Sequence, residues 1–201
     1  MSQRARGLRR SFLALSMAAA PSLADHTPGQ QMQGATAGWP IGDFFLADQN
    51  GNPFVRQSLD GRWTLLVLGD SRCAAGCAAA LSAAAGLLRR IARTQAAQTT
   101  QVVLLSLRPD DRTADMRRVL APHGAGFVGV TGPSDQLAGL ADDLGINTGG
   151  LAEQASVTPR EQAHTDSIWL IGPDGVIRTE LLPPFDVPLL TAAYLKTRLR
   201  G

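Results

Sequence analysis

The segment that decides the fold is Trp63-Thr-Leu-Leu-Val-Leu-Gly-Asp-Ser-Arg-Cys73-Ala-Ala-Gly-Cys77-Ala-Ala-Ala-Leu81, where an apolar run precedes both cysteines of the chain. Residues 63–68 are mostly aliphatic and form a short run, which predicts a buried strand. The alanine-rich stretch that follows, as far as about Arg93, favours a helix. We therefore expect the cysteines at a strand-to-helix turn and in the first turns of that helix.

The spacing of the two cysteines is compatible with several roles. Residues four apart on a helix share a face, with Cβ atoms roughly 5–6 Å apart, so Cys73 and Cys77 can hold one small ion or close as a disulfide. The positive end of the helix favours thiolate, the form that binds metal or attacks. The spacing is Cys-x-x-x-Cys, which differs from the Cys-x-x-Cys of thioredoxin-like redox motifs. The pair can equally be a local disulfide or two buried small hydrophobic side chains.

The N-terminus has the composition of a secretory signal. Four arginines within residues 4–10 precede an apolar stretch at 12–20, and small residues at 22–24 offer a cleavage site after Ala24. This apolar stretch is shorter than the roughly 20 helical residues that span a bilayer. Arg9-Arg10-Ser-Phe-Leu also resembles a twin-arginine export signal. We expect an exported, periplasmic protein, which stays attached to the inner membrane if the signal is not cleaved.

Composition describes one globular domain behind that signal. The 201 residues are 44% hydrophobic and 18% charged. We expect a signal peptide at 1–24, a flexible leader rich in Gly, Gln, Thr and Pro at 25–38, and one domain at 39–201. Without the signal the chain has 15 basic and 17 acidic residues, a net charge of −2, so we expect no nucleic-acid surface. The chain has no phosphate-binding glycine loop, and no small-molecule substrate is evident.

The remaining patterns predict strands that alternate with helices, between two hairpins. The expected elements are a hairpin at 43–56, a strand at 101–107, a helix at 113–120 with Thr113 as N-cap, a strand at 127–130, a helix at 134–144, a loop at 147–163, a hairpin at 167–181 around Gly172-Pro-Asp-Gly175 and a final helix at 187–199. This order predicts an α/β domain with a thioredoxin-like fold: a mixed central sheet, helices on both faces and an N-terminal β-hairpin.

Three motifs carry a family resemblance. They are Cys73-Ala-Ala-Gly-Cys77-Ala, Ser106-Leu-Arg108-Pro-Asp-Asp-Arg-Thr113, and Ala163-His164-Thr165 followed by Trp169-Leu-Ile-Gly-Pro-Asp-Gly175. They are similar to the Cys-Pro-x-x-Cys-Pro, Ser-x-Asp-Pro-x-x-Asp-Thr and Asp-His-x motifs of the Sco/SenC family of thioredoxin-like copper proteins, and the likeness runs from about Asp43 to the C-terminus. The chain departs from that pattern in both prolines of the cysteine motif, in Ala163 and in Arg108.

The resemblance implies a copper site. Its metal ligands would be Cys73, Cys77 and His164. Asp70 and Asp166 lie next to the motif cysteine and histidine in sequence, and they either support these ligands or are ordinary loop and strand-end acids. Two thiolates suit Cu(I), and imidazole accommodates both oxidation states of copper. A closed structural zinc site requires four protein ligands, and the sequence offers only three candidates. The family implies a chaperone that delivers copper to the dinuclear site of the copper-bearing subunit of cytochrome c oxidase, or to another periplasmic copper protein.

Two further classes of function remain open. A thiol-disulfide oxidoreductase would use Cys73 and Cys77 as its redox-active pair and would reduce the cysteines of a copper-site partner without holding a metal. A peroxiredoxin-like peroxidase shares the fold, but it would want a reactive cysteine flanked by a Thr and an Arg. That constellation is not seen around Cys73. Apart from the two cysteines, the sequence offers no candidate catalytic residue.

Overall fold

The structure is a computed structural model that describes residues 38–146 and 166–200. The predicted signal, almost all of the leader, the predicted loop at 147–163 and His164 lie outside the described residues. The described strands are β1 (Phe45–Asp48), β2 (Pro53–Val55), β3 (Trp63–Gly69), β4 (Thr100–Ser106), β5 (Phe127–Thr131), β6 (Ile168–Ile171) and β7 (Ile177–Leu181). The described α-helices are α1 (Ala75–Ile91), α2 (Gln95–Gln98), α3 (Thr113–Leu120), α4 (Ser134–Asp143) and α5 (Val187–Arg198).

The seven strands form one mixed sheet in the order β2-β1-β5-β4-β3-β6-β7. β3, β4 and β5 are parallel neighbours, whereas β1, β2, β6 and β7 join by antiparallel pairing. Nearly every residue of β3 and β4 is buried, because helices or loops cover both faces of these inner strands. The predicted mixed sheet with an N-terminal hairpin is confirmed.

Two apolar cores lie on opposite faces of the sheet. On β3, Leu65 and Val67 point to the core that α1, α3 and α5 cover, whereas Leu66 and Leu68 point to the core under α4 and the N-terminal hairpin. This alternation follows from the two-residue period of a strand. The helices of both layers therefore fix β3 from above and below. The carboxyl end of that strand, which precedes the cysteines, has a well-defined position.

The structure differs from the sequence expectations in a few local features. Thr113 is the first residue of α3 and not its N-cap, which is Arg112. The carboxylate of Asp115 reaches back and accepts a hydrogen bond from the Arg112 N–H at 3.0 Å, so an acid inside the helix does the capping. A 3-10 helix at Arg56–Leu59 and the four-residue α2 were not predicted, because such short segments show no periodicity. No helix among the described residues is long and apolar enough to cross a membrane.

Candidate metal centre

The two cysteines lie at the edge of the sheet where β3 and β4 both end. Gly69 and Ser106, the last residues of these strands, are partners in the parallel pairing. The carbonyl of Gly69 accepts a hydrogen bond from the N–H of Leu107 at 2.9 Å, which extends the pairing into the loop after β4. The loops after the two strands therefore leave the sheet side by side, and the first of them carries Cys73.

Cys73 and Cys77 form a disulfide, with their Cα atoms 5.2 Å apart. Cys77 is the third residue of α1, but Cys73 precedes the helix and has a φ of 39°. The expectation that a helical spacing brings the two sulfurs together is therefore wrong for Cys73. The cause is the preceding turn: the N–H of Cys73 donates to the backbone carbonyl and to the carboxylate of Asp70, both at 3.0 Å. These bonds hold Cys73 in a left-handed conformation that residues other than glycine rarely adopt.

The two sulfurs differ in their access to solvent. Cys77 is only 4% exposed, whereas Cys73 is partly exposed. The sulfur of Cys77 lies directly over Gly69, since a Cβ added to Gly69 would stand 2.7 Å from Cys77 Sγ and 3.0 Å from Leu104 Cδ1. Glycine at the end of β3 therefore provides the space for the inner sulfur. A molecule that approaches from solvent meets Cys73 first.

Asp70 is held as a carboxylate by its neighbours. Burial raises the pKa of Asp70, but hydrogen bonds from the Arg72 guanidinium and from the N–H groups of Arg72 and Cys73 outweigh it, so the pKa lies below its ordinary value. The Asp70 carboxylate in turn raises the pKa of Arg72, whose Nη2 lies 2.7 Å from Asp70 Oδ2. Asp70 is therefore ionised at neutral pH and stabilises the turn that presents Cys73.

A buried carboxylate, Asp111, ties the cysteine loop to the loop after β4. Its oxygens accept hydrogen bonds from the Ser71 N–H at 2.7 Å, from Ser71 Oγ at 2.6 Å and from Ser106 Oγ at 2.6 Å. The Asp111 carbonyl accepts from Thr131 Oγ1 at 2.9 Å. Hydrogen bonds to a charged acceptor contribute about 1.5–3 kcal/mol each, so this cluster is a strong local constraint. It fixes Ser71, two residues before Cys73.

Asp166, which is distant in sequence, contacts the segment between the two cysteines. A Cβ added to Gly76 would overlap the Asp166 carboxylate, so this carboxylate occupies the place that a side chain at 76 would take. Asp166 lies just before β6, which pairs with β3. The chain thus brings residue 166 against the first turn of α1.

The structure brings together most, but not all, of the residues singled out in the sequence. Cys73, Cys77, Asp70 and Asp166 lie at one edge, whereas His164 is outside the described residues. In the ranges 38–146 and 166–200, no group of three or more His, Cys, Asp or Glu side chains is placed to hold a metal ion. Sequence reasoning missed the packing role of Gly69 and the buried acid Asp111. Asp111 lies within the Ser106-to-Thr113 motif, and that motif was the only feature of the sequence that could have indicated it.

Residues 33–197 match the SCO1/SenC family. The chain belongs to this family. The match covers most of the chain, including both cysteines and His164. The thioredoxin-like α/β fold predicted from the sequence is the fold of the Sco structures that the chain resembles.

Three relatives illustrate what the family contains. A protein of Stutzerimonas stutzeri whose name proposes copper binding is 32% identical over 186 residues, which cover 88% of each chain. The structure of Bradyrhizobium japonicum ScoI with copper bound is 26% identical, covers 80% of this chain and 98% of that one, and has a TM-score of 0.59. The structure of BsSco, a member of the Sco family of cytochrome c oxidase assembly proteins in which a disulfide switch was identified, is 16% identical, covers 80% of this chain and 94% of that one, and has a TM-score of 0.57.

Proposed function

We propose that the reduced chain binds one copper ion through Cys73, Cys77 and His164 and delivers it to the dinuclear copper site of cytochrome c oxidase. The observation that carries the proposal is the position of Asp166 on Gly76, between the two cysteines. His164 precedes Asp166 by two residues, a span of at most about 7 Å in any conformation. This short span supports a role for the His164 imidazole as the third ligand in the reduced chain.

The donor set fits copper. The two sulfurs are already close enough to bond to each other, so after reduction they can bind one ion together. Thiolate ligands select Cu(I), and an imidazole suits copper in both oxidation states. The copper of the Bradyrhizobium japonicum structure and the name of the Stutzerimonas stutzeri relative support the same metal. Three protein donors leave an open position, which is what the transfer of copper to an acceptor protein requires.

The test of the ligand set is a pair of competition titrations on the parent protein and a His164→Ala variant. Two thiolates can hold Cu(I) almost linearly, whereas Cu(II) prefers a tetragonal set with nitrogen or oxygen donors. We therefore expect the variant to keep much of its Cu(I) affinity and to lose most of its Cu(II) affinity. Unchanged Cu(II) binding would remove His164 from the site. A His123→Ala variant is the matched control, since His123 packs on Phe127 at the opposite end of the sheet.

A second candidate is a thiol-disulfide oxidoreductase, which the unequal exposure of the sulfurs favours. The Cys73 thiolate would attack a partner disulfide and form a mixed disulfide, and the partner would release one thiolate. The Cys77 thiolate would then attack Cys73 Sγ, which leaves the partner with two thiols and this chain with the Cys73–Cys77 bond. Stoichiometric reduction of the oxidase copper-site cysteines by the metal-free dithiol protein, with no copper transfer from the loaded protein, would favour this role.

The proposal also places the protein outside the cytoplasm. The arginine-rich start, the apolar stretch at 12–20 and the small residues at 22–24 support export to the periplasm and cleavage after Ala24, with the leader at 25–38 and the domain at 39–201. N-terminal sequencing of the protein isolated from the periplasm should begin at or near Asp25. A sequence that begins at Met1 or Ser2 would contradict cleavage and would favour attachment to the inner membrane.

A further inference from the structure

The arginines beside the cysteine loop are exposed, whereas the acids that accompany them are largely buried. The Arg72 side chain is 59% exposed, and its partner Asp70 is 18% exposed. The Arg108 side chain is 37% exposed, and Asp111, which lies 3.6 Å from Arg108 Nε, is 4% exposed. The formal charges of the two pairs cancel, but the two members of each pair are not equally accessible. A molecule that approaches this edge of the sheet from solvent therefore meets guanidinium groups.

The Arg108 guanidinium is not used by the fold. It donates no hydrogen bond within the ranges 38–146 and 166–200, and its Nε is buried without one. Asp111 is in range for an ion pair, but 3.6 Å is too long for a hydrogen bond. The Asp111 oxygens already accept hydrogen bonds from Ser71 and Ser106. The exposed part of Arg108 therefore keeps donors for an acceptor outside the described fold.

Both arginines lie near the accessible sulfur. Arg72 immediately precedes Cys73 in the chain. The pKa of Arg72 is raised by its hydrogen bond to Asp70 and also by the charge of Asp111, the acid beside Arg108. The two guanidinium groups thus lie near one buried carboxylate at the base of the loop that carries Cys73.

The surface around Cys73 has the composition of a protein interface. Ala74 and Ala75, which follow Cys73, are exposed and have small apolar side chains. The exposed acid of the neighbouring loop is Asp110, but Arg112, two residues later, is 78% exposed. Interfaces have a core with few charges and a polar rim, and arginine is enriched in them relative to the rest of the surface. This edge combines small apolar side chains next to the sulfur with arginines around them.

We propose that Arg72 and Arg108 form a docking surface for a protein partner that carries carboxylates around the cysteines with which Cys73 reacts. Without the predicted signal the chain has a net charge of −2, because four of the 19 basic residues and none of the 17 acidic ones lie in residues 1–24. The net charge alone would favour a basic partner, and the two arginines reverse that preference at the sulfur. The inference rests on the proposal that Cys73 and Cys77 act on a partner protein, and it adds the charge of that partner.

The experiment measures thiol–disulfide exchange between the purified protein in its disulfide form and two synthetic dithiol peptides. The peptides differ only in four residues that flank their cysteines, which are glutamates in one peptide and lysines in the other. A peptide thiolate attacks Cys73 Sγ, and Cys77 leaves as a thiolate. The second peptide thiolate then attacks the peptide sulfur of the mixed disulfide, and Cys73 leaves. The protein is reduced and the peptide oxidised, and no copper takes part.

Controls separate docking from the chemistry of the thiols. Each rate constant is divided by that of the same peptide with a small uncharged disulfide, which corrects for the effect of the flanking charges on the peptide thiols. Arg108→Gln removes the charge, and Arg108→Lys keeps it. Arg90→Gln is the matched control, because Arg90 is an exposed arginine in the last turn of α1, at the opposite end of that helix from the cysteines. Circular dichroism checks that every variant is folded.

We expect the parent to react at least about tenfold faster with the glutamate peptide than with the lysine peptide at an ionic strength of about 0.01 M. The preference should fall below about twofold at about 1 M, where charges are screened beyond about 3 Å. Arg108→Gln should lower the preference by at least about threefold. Arg108→Lys should retain most of the preference, and Arg90→Gln should match the parent.

The outcomes separate this inference from the proposed function. Equal corrected rates for the two peptides, a faster reaction with the lysine peptide, or exchange with neither peptide would overturn the inference. A preference that is unchanged in Arg108→Gln, or lost equally in Arg108→Lys, would also overturn it, because the charge of Arg108 would then not carry it. A parent that prefers the glutamate peptide but binds no copper would support the inference and overturn copper delivery alone.

Discussion

Strand β3 begins at Trp63, beneath the guanidinium of Arg198, and ends at Gly69, beneath the sulfur of Cys77. At the first end, Arg198 lies 5.6 Å from the Trp63 ring centroid and donates to Thr99 Oγ1 at 3.0 Å and to the Tyr194 hydroxyl at 3.1 Å. These contacts join α5 to the sheet. At the second end, hydrogen bonds to Asp70 hold the turn that carries the partly exposed sulfur of Cys73. One strand thus has a structural end and an end where chemistry can occur.

The two ends of β3 are built from different kinds of side chain. The end at Trp63 uses large side chains that fill space and bond to one another. The end at Gly69 uses glycine twice, at Gly69 and at Gly76, to make room for a sulfur and for a carboxylate. We therefore expect changes at the first end to alter stability alone. Changes at the second end should alter copper binding as well.

The largest loss of stability is expected from Asp111→Ala. The change removes the acceptor of three hydrogen bonds, two from the part-buried Ser71 and one from the buried Ser106, and hydrogen bonds to a carboxylate contribute about 1.5–3 kcal/mol each before water replaces the acceptor at Ser71. We expect a loss of about 3 kcal/mol in the free energy of unfolding by urea, with weaker copper binding. Asp110→Ala, an exposed neighbour, is the matched control and should stay within about 0.5 kcal/mol of the parent. Equal stability of the two variants would contradict the role of Asp111.

The next largest loss of stability is expected from Gly69→Ala, which should also weaken copper binding directly. The new Cβ would stand 2.7 Å from Cys77 Sγ, so the sulfur or the strand must move. Overpacking of this kind costs about 1–3 kcal/mol, and we expect at least a tenfold loss of Cu(I) affinity, since two sulfurs out of place bind one ion poorly.

Two glycine variants provide the controls for Gly69→Ala. Gly175→Ala should destabilise the fold, because its φ is +71° and its Cβ would overlap the Arg56 guanidinium, but it should leave copper affinity unchanged. Gly139→Ala has open space and lies in α4, so it should be neutral or slightly stabilising. Normal copper binding by Gly69→Ala would show that the inner sulfur does not need this space.

A smaller loss of stability is expected at the Trp63 end of β3. Arg198→Met keeps the apolar part of the side chain but removes two hydrogen bonds and the cation–π contacts with Trp63 and Tyr194. We expect a loss of about 1–2 kcal/mol in unfolding free energy and no change in copper affinity. Arg200→Met, an exposed arginine two residues later, is the control. A change in copper affinity for Arg198→Met would show that the two ends are coupled.

The smallest expected effect is a pH-dependent contribution of Asp174 to the free energy of unfolding. Burial raises the pKa of Asp174, but hydrogen bonds from the Arg178 guanidinium and the Val176 N–H outweigh it, so the folded pKa lies below the ordinary value of 3.8. Its contribution to stability is therefore present above pH 3.8 and is lost as the pH falls through the folded pKa. Because Asp174 is half exposed, we expect only about 0.5 kcal/mol.

The measurement for Asp174 is the free energy of unfolding of parent and Asp174→Asn at neutral and at acidic pH. The variant should be slightly less stable than the parent near pH 6, and the two should converge on acidification below the folded pKa. A difference that grows as the pH falls would contradict the sign of this shift. Copper affinity near neutral pH should be the same in both proteins.

The sequence was sufficient for those features that depend on local pattern. β3 and β4 were predicted because continuous apolar runs indicate strands buried on both faces, and the cysteine segment followed from its position after the first run. The features it did not predict join distant residues. Ser71 and Asp111 are 40 residues apart, and Gly76 meets Asp166 only because β6 pairs with β3. The left-handed conformation of Cys73 likewise depends on a hydrogen bond to Asp70 that no periodicity indicates.

If Cys73 and Cys77 together hold one copper ion, the amount of copper bound per chain depends on both sulfurs. The parent, Cys73→Ser and Cys77→Ser would be reduced, loaded with Cu(I), separated from free metal and analysed for copper and protein. A hydroxyl is a poor ligand for a soft ion, and the exchange nearly preserves shape, so the variants should fold. We expect one copper per chain in the parent and none tightly bound in either variant. One copper in all three proteins would contradict it.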